Sequence, residues 1–214
     1  VAVSQGSLKP RQLERWRELQ SACRFIGYGL IQTRPNGLEK VHPKTRLQEP
    51  AVWKESVAII AAVLSEQQPR VIFFPHEHDW NTTHIGTHFL VMDALKSLGT
   101  GFTCFLVETE YWGAMADPNL MVESSAADVT DLVTATSFHV GEVRRNPFHI
   151  LQPAWMQDNV RRGSELVGGQ GEAAPDFGFA TLYRLRRWAG GAPQKIFERG
   201  RQLSCQENPA TLFA

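Results

Sequence analysis

The stretch that decides the fold runs from residue 70 to residue 110, RVIFFPHEHDWNTTHIGTHFLVMDALKSLGTGFTCFLVETE. Residues 71–75 are a continuous apolar run, β-branched or aromatic up to Pro75, which predicts a strand buried on both faces in a parallel sheet. Residues 85–99 have helical periodicity and end at a glycine, and residues 102–110 again have the pattern of a buried strand. This order is a βαβ unit with a right-handed connection, so the chain is expected to form a layered α/β fold with a mainly parallel sheet flanked by helices.

The rest of the chain supplies further predicted elements. We predict a short strand over 28–33, a polar loop over 34–50, a loop and short strand over 111–125, a strand or a helix over 178–188, and amphipathic helices over 10–26, 51–68, 128–139 and 153–169. Residues 190–214 are weakly patterned. They predict a C-terminal tail that either caps the domain or is poorly ordered.

Length and composition limit the classes of protein to which this chain can belong. The 214 residues suit a single α/β domain spanning 1–214, and the net charge of zero gives no electrostatic reason to expect nucleic acid or an anionic membrane as a partner. Three dispersed cysteines without a C-x-x-C pair, and the lack of a signal peptide or a long apolar run, predict a cytoplasmic location. The sequence allows a homo-oligomer but does not determine the oligomeric state. The chain does not begin with Met, so it is either processed or part of something longer.

The loop after the first predicted strand is dense in groups that bind metals or move protons. His76 and His78 alternate along an extended segment with Asp79 after them, while His84 and His88 lie one turn apart on the next helix, which Thr82 or Thr83 can cap. In parallel sheets, ligands bind at the carboxyl ends of strands, and imidazole and carboxylate are usual zinc ligands. The cluster predicts a metal or catalytic site without fixing its ligands. Any one histidine can instead be a cap or surface group, and His88 a buried, hydrogen-bonded one.

Three segments resemble a known family. PRVIFFPHEHDWNTTHIGTHFLVMDAL, residues 69–95, resembles the second motif region of the PIG-L or LmbE-like deacetylases, zinc enzymes of Rossmann-like fold that remove acetyl from N-acetylglucosaminyl groups and related amides. RQLERWRELQSACRFIGYGL, residues 11–30, and LVTATSFHVGEV, residues 132–143, resemble two of its helices. The alignment places His84 on the zinc-ligating histidine of the motif and Asn81 on the other histidine. Asp79 is expected either to orient His84 or to cap the helix.

The chain departs from this family in two places. Nothing matches the His-Pro-Asp-Asp motif that supplies two zinc ligands and the general base; His42-Pro43 is followed by Lys and Thr. Asn81 and Thr83 stand where the second motif has His and Asp, as in a divergent subfamily. We therefore expect an N-terminally truncated enzyme in which zinc binding and hydrolysis are impaired.

The resemblance implies further roles and a substrate. His139 matches a late histidine that stabilises the oxyanion or protonates the leaving amine; the alternative is a histidine at a helix C-terminus. Arg144, Arg145, Asn146 and Trp155 are candidates for binding a sugar, and the partner expected is a small N-acetylated sugar conjugate. The resemblance thus implies a zinc-dependent N-deacetylase; the alternative is a non-catalytic relative that binds metal or sugar. No G-x-G-x-x-G or Walker-type loop supports a nucleotide-binding module.

Overall fold

The computed structural model describes all 214 residues, which form seven α-helices and six strands. The helices are α1 (Gln12–Phe25), α2 (Pro43–Gln48), α3 (Pro50–Gln67), α4 (Thr82–Ser97), α5 (Ala126–Ser137), α6 (Val140–Arg145) and α7 (Phe148–Gly163). The strands are β1 (Val71–Pro75), β2 (Cys104–Thr109), β3 (Leu120–Ser124), β4 (Phe179–Ala189), β5 (Ala192–Lys195) and β6 (Arg201–Leu203). None of the helices is both long and apolar enough to cross a membrane.

All six strands belong to one sheet, in the order β1-β2-β4-β3-β6, with β5 paired to the end of β4. β1 is parallel to β2 and β3 is parallel to β6, whereas β4 is antiparallel to β2, β3 and β5. Five strands therefore share one direction and β4 alone is reversed. This confirms the layered α/β fold with a mainly parallel sheet.

The main hydrophobic core lies between the sheet and helices α3 and α4. Their apolar faces meet the inward side chains of β1, β2 and β4, with Leu90, Leu95, Leu106 and Trp188 essentially inaccessible to solvent. Leucine and tryptophan side chains buried to this extent each contribute about 2 kcal/mol or more to folding. Helix α7 covers the β3–β4 part of the sheet in the same way, and residues 196–213 cover part of the opposite face. These layers hold the carboxyl ends of β1 and β2 side by side.

Several predicted elements differ in the structure. Residues 28–33 form no strand, because their only β pairing is an isolated bridge between Gln32 and Ala2. The predicted loop 34–50 contains helix α2. β1 is not buried on both faces: it is an edge strand paired only with β2, and Phe73 is 59% exposed because residues 196–213 cover only part of its face of the sheet. The open alternative at 178–188 is a strand, and residues 190–214 contribute β5 and β6 to the sheet.

Candidate functional site

The candidate site is built from two loops that leave neighbouring parallel strands. Residues 76–81 follow β1, residues 110–118 follow β2, and the two loops touch each other at the carboxyl edge of the sheet. The buried side chain of His76 connects them through a bond of 2.8 Å between its Nε2 and the carbonyl oxygen of Gly113. The location is the one at which open parallel sheets bind ligands.

Asp79 is the buried centre of this arrangement. One carboxylate oxygen accepts the backbone N–H of Asn81 at 2.8 Å, and the other accepts those of Trp112 and Gly113 at 2.9 and 3.3 Å. Burial alone would raise the pKa of Asp79, but these three N–H donors and nearby His84 outweigh it and lower the pKa below the usual aspartate value. Asp79 is therefore ionised at neutral pH.

His84 lies in the first turn of α4, and its side chain contacts Asp79. Its Nδ1 lies 3.1 Å from a carboxylate oxygen of Asp79, its side chain is 26% exposed, and its ring packs against Tyr111 with centroids 4.9 Å apart. An ionised carboxylate can only accept, so this contact places a proton on Nδ1. Nε2 has no protein partner and is the atom left to accept a proton or bind a ligand.

Asn81 serves as the N-cap of α4. Its side-chain oxygen accepts the backbone N–H groups of Thr83 and His84 at 2.9 and 3.4 Å. The expected cap by Thr82 or Thr83 is therefore wrong; both lie inside the first turn, because Asn81 has the extended backbone that an N-cap needs. Asp79 was expected either to orient His84 or to cap the helix. The structure matches the first role, since Asp79 contacts His84 whereas Asn81 caps α4.

The other histidines of the loop have different environments. His78 is exposed, whereas His88 is 3% exposed, with Nδ1 at 3.2 Å from the carbonyl oxygen of Pro75 and 3.3 Å from Glu108. Burial lowers the pKa of His88, which is therefore neutral. The reading of His88 as a buried, hydrogen-bonded histidine matches these contacts.

His139 and its neighbours form a separate cluster. His139 precedes the first residue of α6, and the charges near it are Glu18 of α1 and Glu142 of α6; burial lowers its pKa although both carboxylates oppose the shift. Arg145 bonds Glu142, Arg144 is exposed, and Asn146 ends α6. No hydrogen bond or ring contact joins this cluster to Asp79 or His84.

Trp155, in contrast, is connected to the site through aromatic contacts. It packs on Phe148 at 6.2 Å between ring centroids, and Phe148 packs on Trp112 at 5.4 Å. The backbone N–H of Trp112 is one of the donors to Asp79. Sequence reasoning missed Tyr111 and Trp112, whose signal was an aromatic pair placed directly after a predicted buried strand.

A second set of missed residues lies beneath the loops. Glu108 is fully buried and accepts two bonds of 2.7 Å from Arg184 and one of 2.6 Å from Arg186. Arg184 also reaches Glu77 in the first loop at 3.3 Å and Asp117 in the second at 2.8 Å. The guanidinium of Arg184 thus ties both loops to the central strands.

The residues of the site do not by themselves fit a zinc ion. Both oxygens of Asp79 are occupied by N–H donors, and Nε2 of His84 is a single ligand atom, whereas catalytic zinc takes three protein ligands. Nowhere in the 214 residues do three His, Cys, Asp or Glu side chains approach closely enough to hold a metal together.

Comparison with known proteins supports the fold. No protein-family model matches the chain, and no curated protein matches it in sequence. The conserved protein TT1542 from Thermus thermophilus has a similar structure, with a TM-score of 0.52 and 18% identity over 92% of this chain and 80% of that one. The A40926 pseudoaglycone deacetylase Dbv21 is similar with a TM-score of 0.55 and 15% identity over 83% of this chain and 72% of that one. At these identities the likeness shows the fold alone: this chain has a fold that a deacetylase also has.

Proposed function

We propose that this chain acts in the hydrolysis of an amide, removing the acetyl group from an N-acetylated sugar conjugate such as an N-acetylglucosaminyl compound. The observation that carries the proposal is the buried Asp79 carboxylate, which holds Nδ1–H of His84 and leaves Nε2 without a protein partner. The fold shared with a deacetylase and the sequence resemblance to PIG-L and LmbE-like enzymes support the same reaction class.

The chemistry proposed for the pair follows from its protonation. Amide hydrolysis needs a base that takes a proton from the attacking water and an acid that gives one to the leaving amine. Nε2 of His84 can take that proton when it carries none of its own, and ionised Asp79 stabilises the imidazolium that results. The N–H groups of Trp112 and Gly113 already bond Asp79, so they are not free to serve as an oxyanion hole.

The proposal also includes the roles that the sequence resemblance implies for zinc, His139 and the sugar-binding residues. The family resemblance implies zinc dependence with His84 as one ligand; the other ligands are not among the residues of this site, and zinc on Nε2 would exclude that atom from acting as the base, so the base role belongs to the metal-free pair. His139 as a proton donor, and Arg144, Arg145 and Asn146 as sugar-binding groups, require that the α6 cluster also contacts the substrate.

A second candidate is a non-catalytic protein that binds the sugar conjugate without cleaving it. The observation that favours it is Asn81, which stands where the family has a histidine and whose side chain is used as a helix cap. Such a protein keeps the binding surface and lacks part of the catalytic set.

One experiment separates the candidates. The chain is incubated with N-acetylglucosamine and its methyl β-glycoside, with and without added zinc, while acetate and free amine are quantified and binding is followed by calorimetry. Equal amounts of acetate and amine support the hydrolase and show whether it needs zinc. Binding without either product supports the second candidate, and neither binding nor product contradicts both.

A further inference from the structure

Residues 111–114 of the second site loop are held by only three hydrogen bonds. The backbone N–H groups of Trp112 and Gly113 donate to Asp79 at 2.9 and 3.3 Å, and the carbonyl oxygen of Gly113 lies 2.8 Å from Nε2 of His76. No other hydrogen bond reaches these four residues. Two of the three bonds depend on Asp79, so His76 supplies the single independent hydrogen bond to this segment.

His76 is itself held firmly at the end of β1. Its backbone N–H donates to the carbonyl oxygen of Thr109 at 3.3 Å, which extends the pairing of β1 with β2 by one residue, and its own carbonyl accepts the N–H of Asp79 at 3.4 Å. His76 is only 1% exposed. A carbonyl oxygen can only accept, so Nε2 of His76 carries a proton and donates it to Gly113. Burying an imidazole costs free energy unless the ring is hydrogen-bonded, and the bond to Gly113 meets that need.

Gly113 links His76 to Asp79 through two successive peptide groups. Its N–H, in the peptide group shared with Trp112, donates to Asp79, whereas its C=O belongs to the following peptide group and accepts from His76. A methyl group added at Gly113 would lie 3.0 Å from Cα of Asp79 and from the carbonyl oxygen of His78, closer than nearly all real contacts of this kind. The two loops therefore meet at a glycine, and the bond from His76 holds the backbone there from the side opposite Asp79.

We propose that His76 is a positioning residue of the candidate site: by holding the carbonyl of Gly113, it keeps the N–H groups of Trp112 and Gly113 on Asp79 and so keeps the Asp79 carboxylate directed at His84. For its effect on hydrolysis this inference rests on the proposed function, but the arrangement itself can be measured without a substrate. His76 acts through Gly113 and Asp79 and is not expected to touch the substrate. A displacement of about 1 Å in a reacting group can lower a rate about 100-fold, so the bond from His76 should matter for kcat.

The arrangement is tested first by NMR and amide hydrogen exchange. In wild type, nitrogen shifts of labelled histidine should show His76 as the Nε2–H tautomer. His76→Leu, which has no donor, should speed exchange of the Trp112 and Gly113 amides by about three- to tenfold, the equivalent of one hydrogen bond, while the amide of Leu106 in β2 keeps its wild-type rate. His76→Gln, whose side-chain N–H can donate from a similar position, should restore the protection.

The effect on hydrolysis is tested with the methyl β-glycoside of N-acetylglucosamine. His76→Leu should lower kcat for acetate release by about tenfold or more, with KM within about twofold of wild type because His76 does not contact the substrate. His76→Gln should recover most of kcat. His78→Leu is the matched control, since it makes the same replacement at an exposed histidine of the same loop, and it should behave like wild type.

The outcomes separate this inference from the proposed function. The Nδ1–H tautomer of His76 in wild type, which needs no variant to detect, would overturn the positioning role. Unchanged exchange at Trp112 and Gly113 in folded His76→Leu would do the same, and so would faster exchange throughout β2, which would show that His76 only stabilises the fold. Acetate release by wild type with an unchanged kcat in His76→Leu keeps the hydrolase and removes the positioning role. No acetate from wild type, together with the predicted tautomer and exchange rates, removes the hydrolase and keeps the role of His76 in holding the loop.

Discussion

Asp79 forms hydrogen bonds with Asn81, His84, Trp112 and Gly113, and its role could be predicted only in part. The sequence predicts Asp79 in the loop and His84 at the start of the following helix, and it leaves two roles for the carboxylate, orienting His84 or capping α4. Asn81 decides between them, because it caps α4 and leaves Asp79 to contact His84. The additional bond from the backbone N–H of Trp112, 33 positions further along, could not be predicted from the loop. The positions of Tyr111 and Trp112 in the site could not be predicted either, because only the parallel pairing of β1 with β2 brings their loop beside the histidines.

At the same scale, we predict that acidification from pH 7 to pH 5 destabilises the protein through His88. Burial lowers the pKa of His88, Arg184 adds to the shift, and Glu108, Glu77 and the Pro75 carbonyl oppose it. In the unfolded chain the pKa is about 6.5, so in this window the unfolded state binds more protons. The stabilising contribution is complete above that pH and is lost as the pH falls toward the folded-state pKa.

The test of this prediction is urea denaturation at pH 7, 6 and 5. His88→Gln should lower the unfolding free energy at pH 7 but lose less of it on acidification than wild type does. His139, whose pKa burial also lowers, should account for part of the loss that remains. An identical pH slope in His88→Gln and wild type would contradict the prediction.

At the scale of elements, Asn81 determines where α4 begins. Asn81→Ala removes the acceptor for two backbone N–H groups and should lower the unfolding free energy by about 1 kcal/mol. Asn81→Asp is the matched control, since it keeps the acceptor and adds a charge that favours a helix N-terminus, so it should stay close to wild type. Denaturant titrations of both variants measure the difference, and equal stability of Asn81→Ala and Asn81→Asp would be inconsistent with the cap.

Elements with strong local patterns were predicted well, and those that depend on a partner were not. The βαβ unit from β1 to β2 was predicted because apolar runs, helical periodicity and Gly99 all agree there. The strand expected over 28–33 fails because a strand exists only where another strand pairs with it. The burial of β1 is overestimated for a related reason, since the residues of a strand do not encode which face of the sheet other elements cover, and the face that carries Phe73 is covered only in part.

For the molecule as a whole, the network around Glu108 and Arg184 joins the core to both site loops. Glu108 lies on β2 and Arg184 on β4, and the guanidinium extends to Glu77 and Asp117 in the two loops. These partners raise the pKa of Arg184, although burial opposes the shift, so it stays charged. A buried charge that loses its partner is strongly destabilising, whereas removing both charges together is often tolerated.

We therefore predict that Glu108→Gln lowers the unfolding free energy by about 3 kcal/mol or more, in the range found when one partner of a buried pair is removed. Replacing Glu108 and Arg184 together, by Gln and Met, should cost less than the sum of the single changes. Arg187→Gln, at an exposed position of the same strand, is the control and should change stability little. Additive effects in the double variant would show that the two side chains do not act as a pair.

The most direct test of the account is the rate of acetate release by His84→Ala and Asp79→Asn, measured beside wild type on an N-acetylglucosaminyl substrate. His78→Ala, at an exposed histidine of the same loop, is the control. The account predicts that His84→Ala lowers kcat/KM by about 100-fold or more, as for loss of a general base, with Asp79→Asn also reduced and His78→Ala within about twofold of wild type. Wild-type acetate release that is unchanged in folded His84→Ala would contradict the claim that the Asp79–His84 pair is the reactive centre.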